Sequence, residues 1–501
     1  MRLAALIDGC NCRPLGKLDP VITDITDDSR QVRPGALYIA RRGKTADGRA
    51  FIPQAVAAGA LAVLTDDAAL AQNHPSLAFI QTDDVQRTSA LLAERFFANP
   101  SRALTLIAVT GTNGKTTVAT AVAQALYAAG TPCGLIGTVE IHDGRAATPA
   151  RLTTPSAVEL SRALAAMVAN GCTAAAIEAS SHALDQDRVA ALDINIGVFT
   201  NLTGDHLDYH GTMDNYAKAK SRLFDLLPAS GVAIANFDDP AAESMVRRTR
   251  ARILRCSARG HHTCRVEILR SSIEGMHLRC TGPWGAFDTH TTLIGAHNAM
   301  NLLQVAAACH AAGLDRVALQ HALAAVRPPR GRLERINLDA APAVFVDYAH
   351  TDDALERAIE ALRPLRGLGK LWVVFGCGGD RDRTKRPRMG RVASRLADVA
   401  VITSDNPRTE DPMRIIREIQ GGIDHEARAI VHVDRAEAIR AAIAQAEPAD
   451  IILIAGKGHE REQLLPDGQG GIVRRDFDDA DHARAALARR AHALHAGAAR
   501  A

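Results

Sequence analysis

The sequence predicts an α/β protein of three domains, built on mostly parallel sheets covered by helices. Three observations predict it. At 501 residues the chain is too long for one core, since domains average about 150 residues. Apolar runs of strand length alternate with stretches of helical composition, as in parallel strands joined by crossover helices. The pattern is interrupted twice by Pro and Gly punctuation, at "FFANPSRALT" (96–105) and "VRPPRGR" (326–332). The expected domains are therefore 1–100, 101–330 and 331–501.

Taken in order, the first hundred residues form a small module of their own. In the second stretch "LTLIAV" (104–109) is a strand that runs into a glycine loop and then into the helical "TTVATAVAQALYAAG" (116–130). The strands "TAAAIE" (173–178), "NIGVFT" (195–200) and "GVAIAN" (231–236) follow. After Arg330 the pattern restarts with "AVFVDY" (343–348), "LWVVFG" (371–376), "DVAVIT" (398–403) and "DIILIAG" (450–456). From about Arg484 the chain is rich in Ala, Arg and His, which predicts a last helix with a frayed end.

Composition narrows the class. Hydrophobic residues make up 47% and charged residues 23%, ordinary for a soluble globular protein. Net charge is +3 with no long basic run, which argues against a nucleic-acid partner. The first residues lack a cationic leader with an apolar core. No uncharged apolar run reaches the length of about 18 residues that a membrane span needs. Nine cysteines are scattered without a repeated CxxC, and Cys10 and Cys12 lie close together. Free thiols in a reducing cytoplasm are expected rather than a disulfide or metal framework.

The chemistry begins at "VTGTNGKTT" (109–117), a glycine loop between a strand and a helix. Backbone N–H groups at such a junction converge on anions, aided by the helix dipole. Gly111, Thr112, Asn113, Gly114, Lys115, Thr116 and Thr117 would cradle phosphates, with Lys115 reaching the β/γ-phosphates and Thr116 ligating Mg²⁺. Val109 stands where the general phosphate-loop spacing has glycine. A chance strand–turn–helix is the competing reading, disfavoured by the joint presence of strand, Gly-Lys-Thr and helix. Glu178 ends a predicted strand, where ligands of open α/β sheets gather. His206 and His210 are spaced as in zinc proteases, but Leu207 stands where those enzymes need glutamate. One carboxylate (Glu178) and one imidazole (His206) beside a phosphate loop suit a further Mg²⁺ better. Either histidine alone reads as a structural residue.

"GTNGKTT", "EASSHAL", "NLTGDHLDYHG" and "GAHNAMN" occur in this order, and together they resemble the Mur ligase family over nearly the whole chain. The resemblance implies an N-terminal UDP-substrate domain, a central P-loop ATPase domain and a C-terminal Rossmann-like domain. It implies ATP and Mg²⁺, with metal contacts from Thr116, Glu178 and His206, and a carbamylated Lys220. His297, Asn298 and Asn301 would lie near adenine or ribose, and Arg332, Asp347, Tyr348 and His350 would complete the nucleotide contacts. The family commonly has proline where this chain has Asp352, a departure at a helix start that suits the dipole. Ser29, Arg30, Lys44, Thr45 and the neighbouring Asp47 would meet the uridine-diphosphate side of one substrate. Thr153, Thr154, Ser180, Gln186 and Arg188 would meet its sugar-peptide part. For Lys44 and Thr45 a plain polar loop remains the alternative.

"SDNPR" (404–408) points to the other substrate. A guanidinium repels an ammonium but grips a carboxylate with two parallel N–H bonds. In the family, Asp-Asn-Pro-Arg marks the enzymes that add meso-diaminopimelate, whose far end carries both an ammonium and a carboxylate. Asp405, Asn406, Pro407 and Arg408 carry that motif intact. Asn406 and Arg408 would hold the distal carboxylate, Arg381 a second anionic contact, and Gly456 and Glu460 the ammonium. Glu462 replaces a usual tyrosine. The competing reading of the turn is a helix N-cap at Asp405. The implied reaction joins meso-diaminopimelate to the D-Glu carboxylate of UDP-MurNAc-L-Ala-D-Glu through an acyl phosphate. The expected protein is a monomer acting on small molecules. A folylpolyglutamate synthase, the lysine-adding sister enzyme and a non-enzymatic nucleotide switch are the alternatives.

Overall fold

The computed structural model describes residues 1–43, 46–337, 342–424 and 429–498. The chain folds into two units. The first comprises Met1–Arg265, Gly282–Trp284 and Gln304–Ala322, and the second Val266–Thr281, Gly285–Leu303 and Leu323–Ala501.

The first unit opens with a five-stranded sheet in the order Arg13–Leu15, Ala78–Gln81, Ala62–Thr65, Ala36–Ile39, Asp24–Thr26. All neighbours are parallel except the edge strand Arg13–Leu15. Period-2 alternation sends Leu37 and Ile39 into one apolar cluster and Tyr38 into another. Around the phosphate loop run the parallel strands Arg252–Ser257, Val232–Asn236, Ile196–Phe199, Thr105–Thr110, Ala174–Glu178 and Cys133–Ile136. Glu140–His142 and Ala147–Pro149 extend that edge antiparallel. The strand Thr105–Thr110 therefore lies centrally, flanked in register by Glu178 and Val198 at Val109. Val109 is a fully buried strand residue, because the loop starts only after Thr110. That is why a β-branched residue, not glycine, suits the position.

Buried Glu94 joins the N-terminal sheet to this larger one. It accepts from Ser101 Oγ (2.6 Å) and Ser161 Oγ (2.7 Å). Arg162 adds a bond to the Ile25 carbonyl at 2.8 Å. These ties fix the walls of the cleft described below.

In the second unit a six-stranded sheet runs Glu334–Arg335, Ala343–Asp347, Ile451–Ala455, Leu371–Phe375, Val399–Ile402, Ala429–Val431. All are parallel but the first. Helices Asp352–Leu362, Lys385–Leu396 and Pro412–Gln420 cover one face and Arg435–Gln445 and Asp479–Ala498 the other. Asp352 is the first residue of its helix, capped by Thr351, and it pairs with Arg388 at 3.2 Å. The last helix begins at Asp479, five residues before the Ala/Arg/His-rich stretch. Asp411, not Asp405, caps the helix after the Asp-Asn-Pro-Arg turn.

Arg435 and Asp479 are both fully buried and pair through two bonds of 2.7 Å, while Arg435 also donates to the Ala455 carbonyl at 2.9 Å. Breaking such a pair leaves a buried charge uncompensated. Asp479→Ala is therefore expected to destabilise the protein by about 3–5 kcal/mol, read from its urea-unfolding midpoint. An unchanged midpoint would remove this pair from the account of the second unit's stability.

Candidate active site

The strand Thr105–Thr110 ends in a loop with Gly111 at φ +147° and Gly114 at φ +85°. A Cβ on Gly111 would lie 1.9 Å from Thr200 Oγ1, so only glycine fits this close approach. Asn201 carries the loop: its carbonyl accepts from Thr112 N at 2.8 Å and its Oδ1 from Asn113 N at 3.0 Å. Thr112 Oγ1 also donates to Thr203 O at 3.1 Å. Helix Lys115–Ala128 follows, with Thr116 and Thr117 buried in its first turn. Lys115 Nζ donates to Gly111 O (2.9 Å) and Thr112 O (2.8 Å), folding the ammonium over the loop.

Glu178 closes the adjacent strand and is buried. Its Oε1 accepts from Thr138 N at 2.7 Å, and its Oε2 from Thr116 Oγ1 at 3.1 Å and Thr138 Oγ1 at 3.0 Å. Gly137 leaves room for it, since a Cβ there would meet Oε1 at 2.6 Å. Lys220 is wholly buried and donates to the same Gly111 carbonyl at 2.8 Å, with its ammonium 4.3 Å from the centre of the Tyr216 ring. Burial, then Lys115, holds its amine well below the ordinary lysine range.

His206 adopts φ +52°, with Nε2 3.5 Å from Asp205 Oδ2. Desolvation foremost, with Lys115 and Lys220 contributing, holds its imidazole below the usual range, in the neutral form that ligates metals. Its ring packs edge-on against His182 at 4.9 Å, and His182 also meets Tyr209 at 4.1 Å and His210 at 5.6 Å. Burial, followed by its two histidine neighbours, lowers His182 to about 4. Among the described residues no group of three or more His, Cys, Asp or Glu is preassembled around a metal position. The hydroxyl and carboxylate oxygens of Thr116 and Glu178, with one imidazole, are nonetheless a donor set that fits Mg²⁺, which keeps several waters of its own.

From Glu178 a polar network leads outward. Thr154 Oγ1 donates to the Glu178 carbonyl at 2.6 Å and accepts from Ser180 N at 3.0 Å. Thr153 Oγ1 lies 3.1 Å from Thr138 Oγ1, which accepts in this contact because its own hydrogen goes to Glu178. Arg188 bonds Thr154 O at 2.6 Å and Gln186 Oε1 at 2.7 Å. The network borders a cleft of 1710 Å³ within the first unit, lined by Ser29, Arg30, Gln186, His182 and Tyr209, and by Arg41, Arg42, Arg151 and Arg162. Ser29 bonds Gln54 at 3.0 Å, and Arg30 folds back in a two-bond pair on Asp28. Lys44 and Thr45 lie outside the described residues. Asp47 caps the helix Gly48–Phe51 and grips Arg49. Sequence reasoning missed the four further arginines. The adjacent pair Arg41–Arg42 was the available signal, whereas Arg151 and Arg162 reach the cleft only through the fold.

In the second unit Asn298 bonds Ile294 O at 2.8 Å and accepts from Asn301 at 3.0 Å. Burial, with Arg357 adding, lowers the His297 imidazole to about 4. Asp347 ends its strand and accepts from Leu333 N (2.7 Å) and Ala349 N (2.8 Å), and burial raises its carboxyl above the usual range. Arg332 lies 4.7 Å from the centre of the Tyr348 ring, which in turn neighbours His350 at 4.6 Å.

The Asp-Asn-Pro-Arg turn follows the strand Val399–Ile402. Asp405 Oδ1 accepts from Asn406 N at 2.7 Å, whereas Oδ2 is buried with no hydrogen-bond partner among the described residues. Beyond Pro407, Arg408 adopts φ +55° and donates from Nη1 to Gly379 O at 2.7 Å. A Cβ on Gly378 would meet Arg408 Nη1 at 3.0 Å and Arg381 Cγ at 3.9 Å, so this bare backbone lets both arginines approach one spot. Gly456, at φ +118°, faces the Asp405 carboxylate, and Glu460 accepts from Asn406 Nδ2 at 2.8 Å. Glu462 pairs with Arg474 at 3.1 Å across the hairpin of Glu462–Pro466 and Ile472–Asp476.

A phosphate loop with a buried carboxylate beside its first helical turn, on a parallel α/β sheet, is the frame of a protein that binds a nucleoside triphosphate. Family models match residues 21–95 (Mur ligase family, catalytic domain), 109–309 (Mur ligase middle domain) and 331–458 (Mur ligase, glutamate ligase domain). The UDP-N-acetylmuramoyl-L-alanyl-D-glutamate–2,6-diaminopimelate ligase of Synechococcus elongatus is 44% identical over 479 residues, covering 94% of this chain and 95% of its own. The ligase of the same name from Geobacillus kaustophilus is 43% identical, with 94% and 96% covered. A solved structure bearing that name aligns with a TM-score of 0.68 at 36% identity, over 94% of this chain and 96% of its own. Thermotoga maritima MurF in complex with ADP shares the fold at 19% identity, with a TM-score of 0.62 and 87% and 94% covered. The chain belongs to the Mur ligase family, the ATP-dependent amide-forming ligases of peptidoglycan precursor synthesis. Among the described residues no helix is long and apolar enough to cross a membrane.

Proposed function

We propose that this chain adds meso-diaminopimelate to the D-Glu carboxylate of UDP-MurNAc-L-Ala-D-Glu in the cytoplasm, as a monomer, converting ATP to ADP and phosphate. The observation that carries the reading is the Asp405–Arg408 turn, where a left-handed Arg408 and a neighbouring Arg381 flank a bare glycine. The names of the diaminopimelate-adding relatives support it. The domains are proposed as 1–100 for the UDP-substrate, 101–330 for ATP and 331–501 for the amino acid.

A carboxylate and an amine do not condense at neutral pH. The acceptor carboxylate first attacks the γ-phosphorus and displaces ADP, giving an acyl phosphate. The amine then attacks the acyl carbon, phosphate departs, and the amine's proton goes to solvent. Such transfers need positioning and charge neutralisation more than covalent help. The loop and helix start at residues 111–117, with the Lys115 ammonium, hold the phosphates, although Thr112 N and Asn113 N are engaged by Asn201 and brace the loop instead. Thr116, Glu178 and His206 would hold Mg²⁺, which when bound neutralises phosphate charge. His297, Asn298, Asn301, Arg332 and Asp347 are the proposed adenine and ribose contacts. Ser29 and Arg30, with Lys44 and Thr45, take the uridine-diphosphate end. Thr153, Thr154, Ser180, Gln186 and Arg188 take the peptide end next to Glu178. Arg408, Arg381 and Asn406 take the distal carboxylate of the amino acid, and Glu460, Gly456 and Asp405 its ammonium.

The test offers the UDP-muramoyl dipeptide, ATP and Mg²⁺ with either meso-diaminopimelate or L-lysine and follows phosphate release. Release with the first and not the second is expected; equal use of both would refute the assignment. In the same assay Arg408→Ala is expected to raise the KM for diaminopimelate about 10–100-fold, since a hydrogen bond to a charged group contributes about 1.5–3 kcal/mol.

A further inference from the structure

Lys457 is wholly buried in the loop after strand Ile451–Ala455. Buried ammonium groups are tolerated only when paired and hydrogen-bonded. Its two partners are both in the amino-acid niche: Nζ donates to Asn406 Oδ1 at 3.1 Å and to Glu460 Oε2 at 3.1 Å. The flanking glycines turn it inward. Gly456 and Gly458 have φ +118° and +56°, and a Cβ on either would strike Asp405 Oδ2 at 2.5 Å or Tyr348 Cβ at 2.7 Å.

The contacts dictate polarity. Asn406 Oδ1 accepts from Lys457 and also from Leu464 N at 3.0 Å. Flipping that amide would turn its N–H₂ against two donors, so Oδ1 must face inward. Its Nδ2 then donates to Glu460 Oε2 at 2.8 Å, and its second N–H is left for a ligand acceptor. Glu460 uses only Oε2 in this triangle, and its Oε1 has no hydrogen-bond partner among the described residues. The buried Asp405 Oδ2 adds a second acceptor without a partner among them.

We infer that Lys457 is a positioning residue for amino-acid selection: by fixing Asn406 as donor and Glu460 as acceptor, it makes the niche read a carboxylate and an ammonium together. It also offsets one of the two carboxylate charges. Without it, the niche holds Asp405 and Glu460 with less counter-charge and favours an ammonium alone. The inference rests on the amino-acid site proposed above.

Lys457→Met removes the charge and keeps the length. Expected, relative to wild type, are a KM for meso-diaminopimelate raised at least about tenfold, KM values for ATP and the UDP-dipeptide within about twofold, and L-lysine use gaining at least about tenfold on diaminopimelate. A merely structural lysine would move all three KM values and the melting temperature together, and that result overturns the inference. So does an unchanged diaminopimelate KM. Should the methionine variant not fold, Lys457→Gln, which can still donate but lacks the charge, carries the test, with a smaller split in the same direction expected. Failure of both to fold would make the lysine a structural lock and overturn its selective role. Wild-type protein that uses no diaminopimelate would overturn the underlying site reading, whereas active wild type beside an unaltered variant overturns this inference alone.

Discussion

Lys115→Ala is expected to lower kcat about 10²–10³-fold, the usual cost of removing one preorganised group that stabilises transition-state charge. The ammonium is held over the loop by two of its own carbonyls, at 2.8 and 2.9 Å, so it stands at the anion site before any phosphate arrives. Little reorganisation is then needed when charge shifts onto the β–γ bridging oxygen. The alanine variant retains the loop amides and Thr116, so some ATP binding should persist while phosphoryl transfer fails. Single-turnover measurement of ADP formation separates the two effects. A chemical step within tenfold of wild type would remove Lys115 from the transition state and leave it as a loop brace.

Much of this site was legible because its parts are local. Gly111 to Thr117 form a contiguous loop whose chemistry follows from strand, glycine and helix in sequence. The eight strands read around the phosphate loop and in the last domain are all present, because each is a continuous apolar run buried on both faces. By contrast Cys264–Ser272, Gly275–Gly282 and Gly285–Thr291 are strands with many exposed positions and only partial alternation of buried and exposed residues, a weaker signal carrying many polar side chains. The missed functional side chains share another cause. His182 acquires its neighbours only when the helix Ser181–Asp185 meets the segment around His206. Arg151 and Arg162 face the same cleft as Arg41 only after the N-terminal sheet docks through Glu94. Lys457 reads as a surface lysine until two positive-φ glycines turn it inward. Residue type was visible in each case, and direction was not.

Lys220 is the strongest case in which structure adds to a motif, and Lys220→Ala is expected to lower kcat at least about 10²-fold, with partial recovery in formate or acetate. Lys115 and Lys220 both donate to the one Gly111 carbonyl, at 2.9 and 2.8 Å. Two ammonium groups sharing an acceptor in a buried site repel, and burial penalises the charge further. Both effects push the Lys220 amine well below its ordinary range, so the sign favours proton loss on folding. A neutral amine is the form that attacks CO₂: an N–C bond forms, a proton leaves, and a carbamate anion results. On the proposed reading, that anion would reverse the charge beside Lys115 and would give the proposed Mg²⁺ contacts Thr116, Glu178 and His206 an anionic neighbour. Alanine deletes both the amine and the anion, and a small carboxylate taking the place of the lost side chain beside Tyr216 and Gly111 would restore the negative charge. The discriminating measurement is kcat against formate concentration, alongside the mass of the intact wild-type protein in bicarbonate. Saturable rescue, with one added CO₂ on wild type and none on the variant, fits the carbamate. A folded variant that binds ATP yet ignores formate would mean that Lys220 serves through its packing on Tyr216 instead.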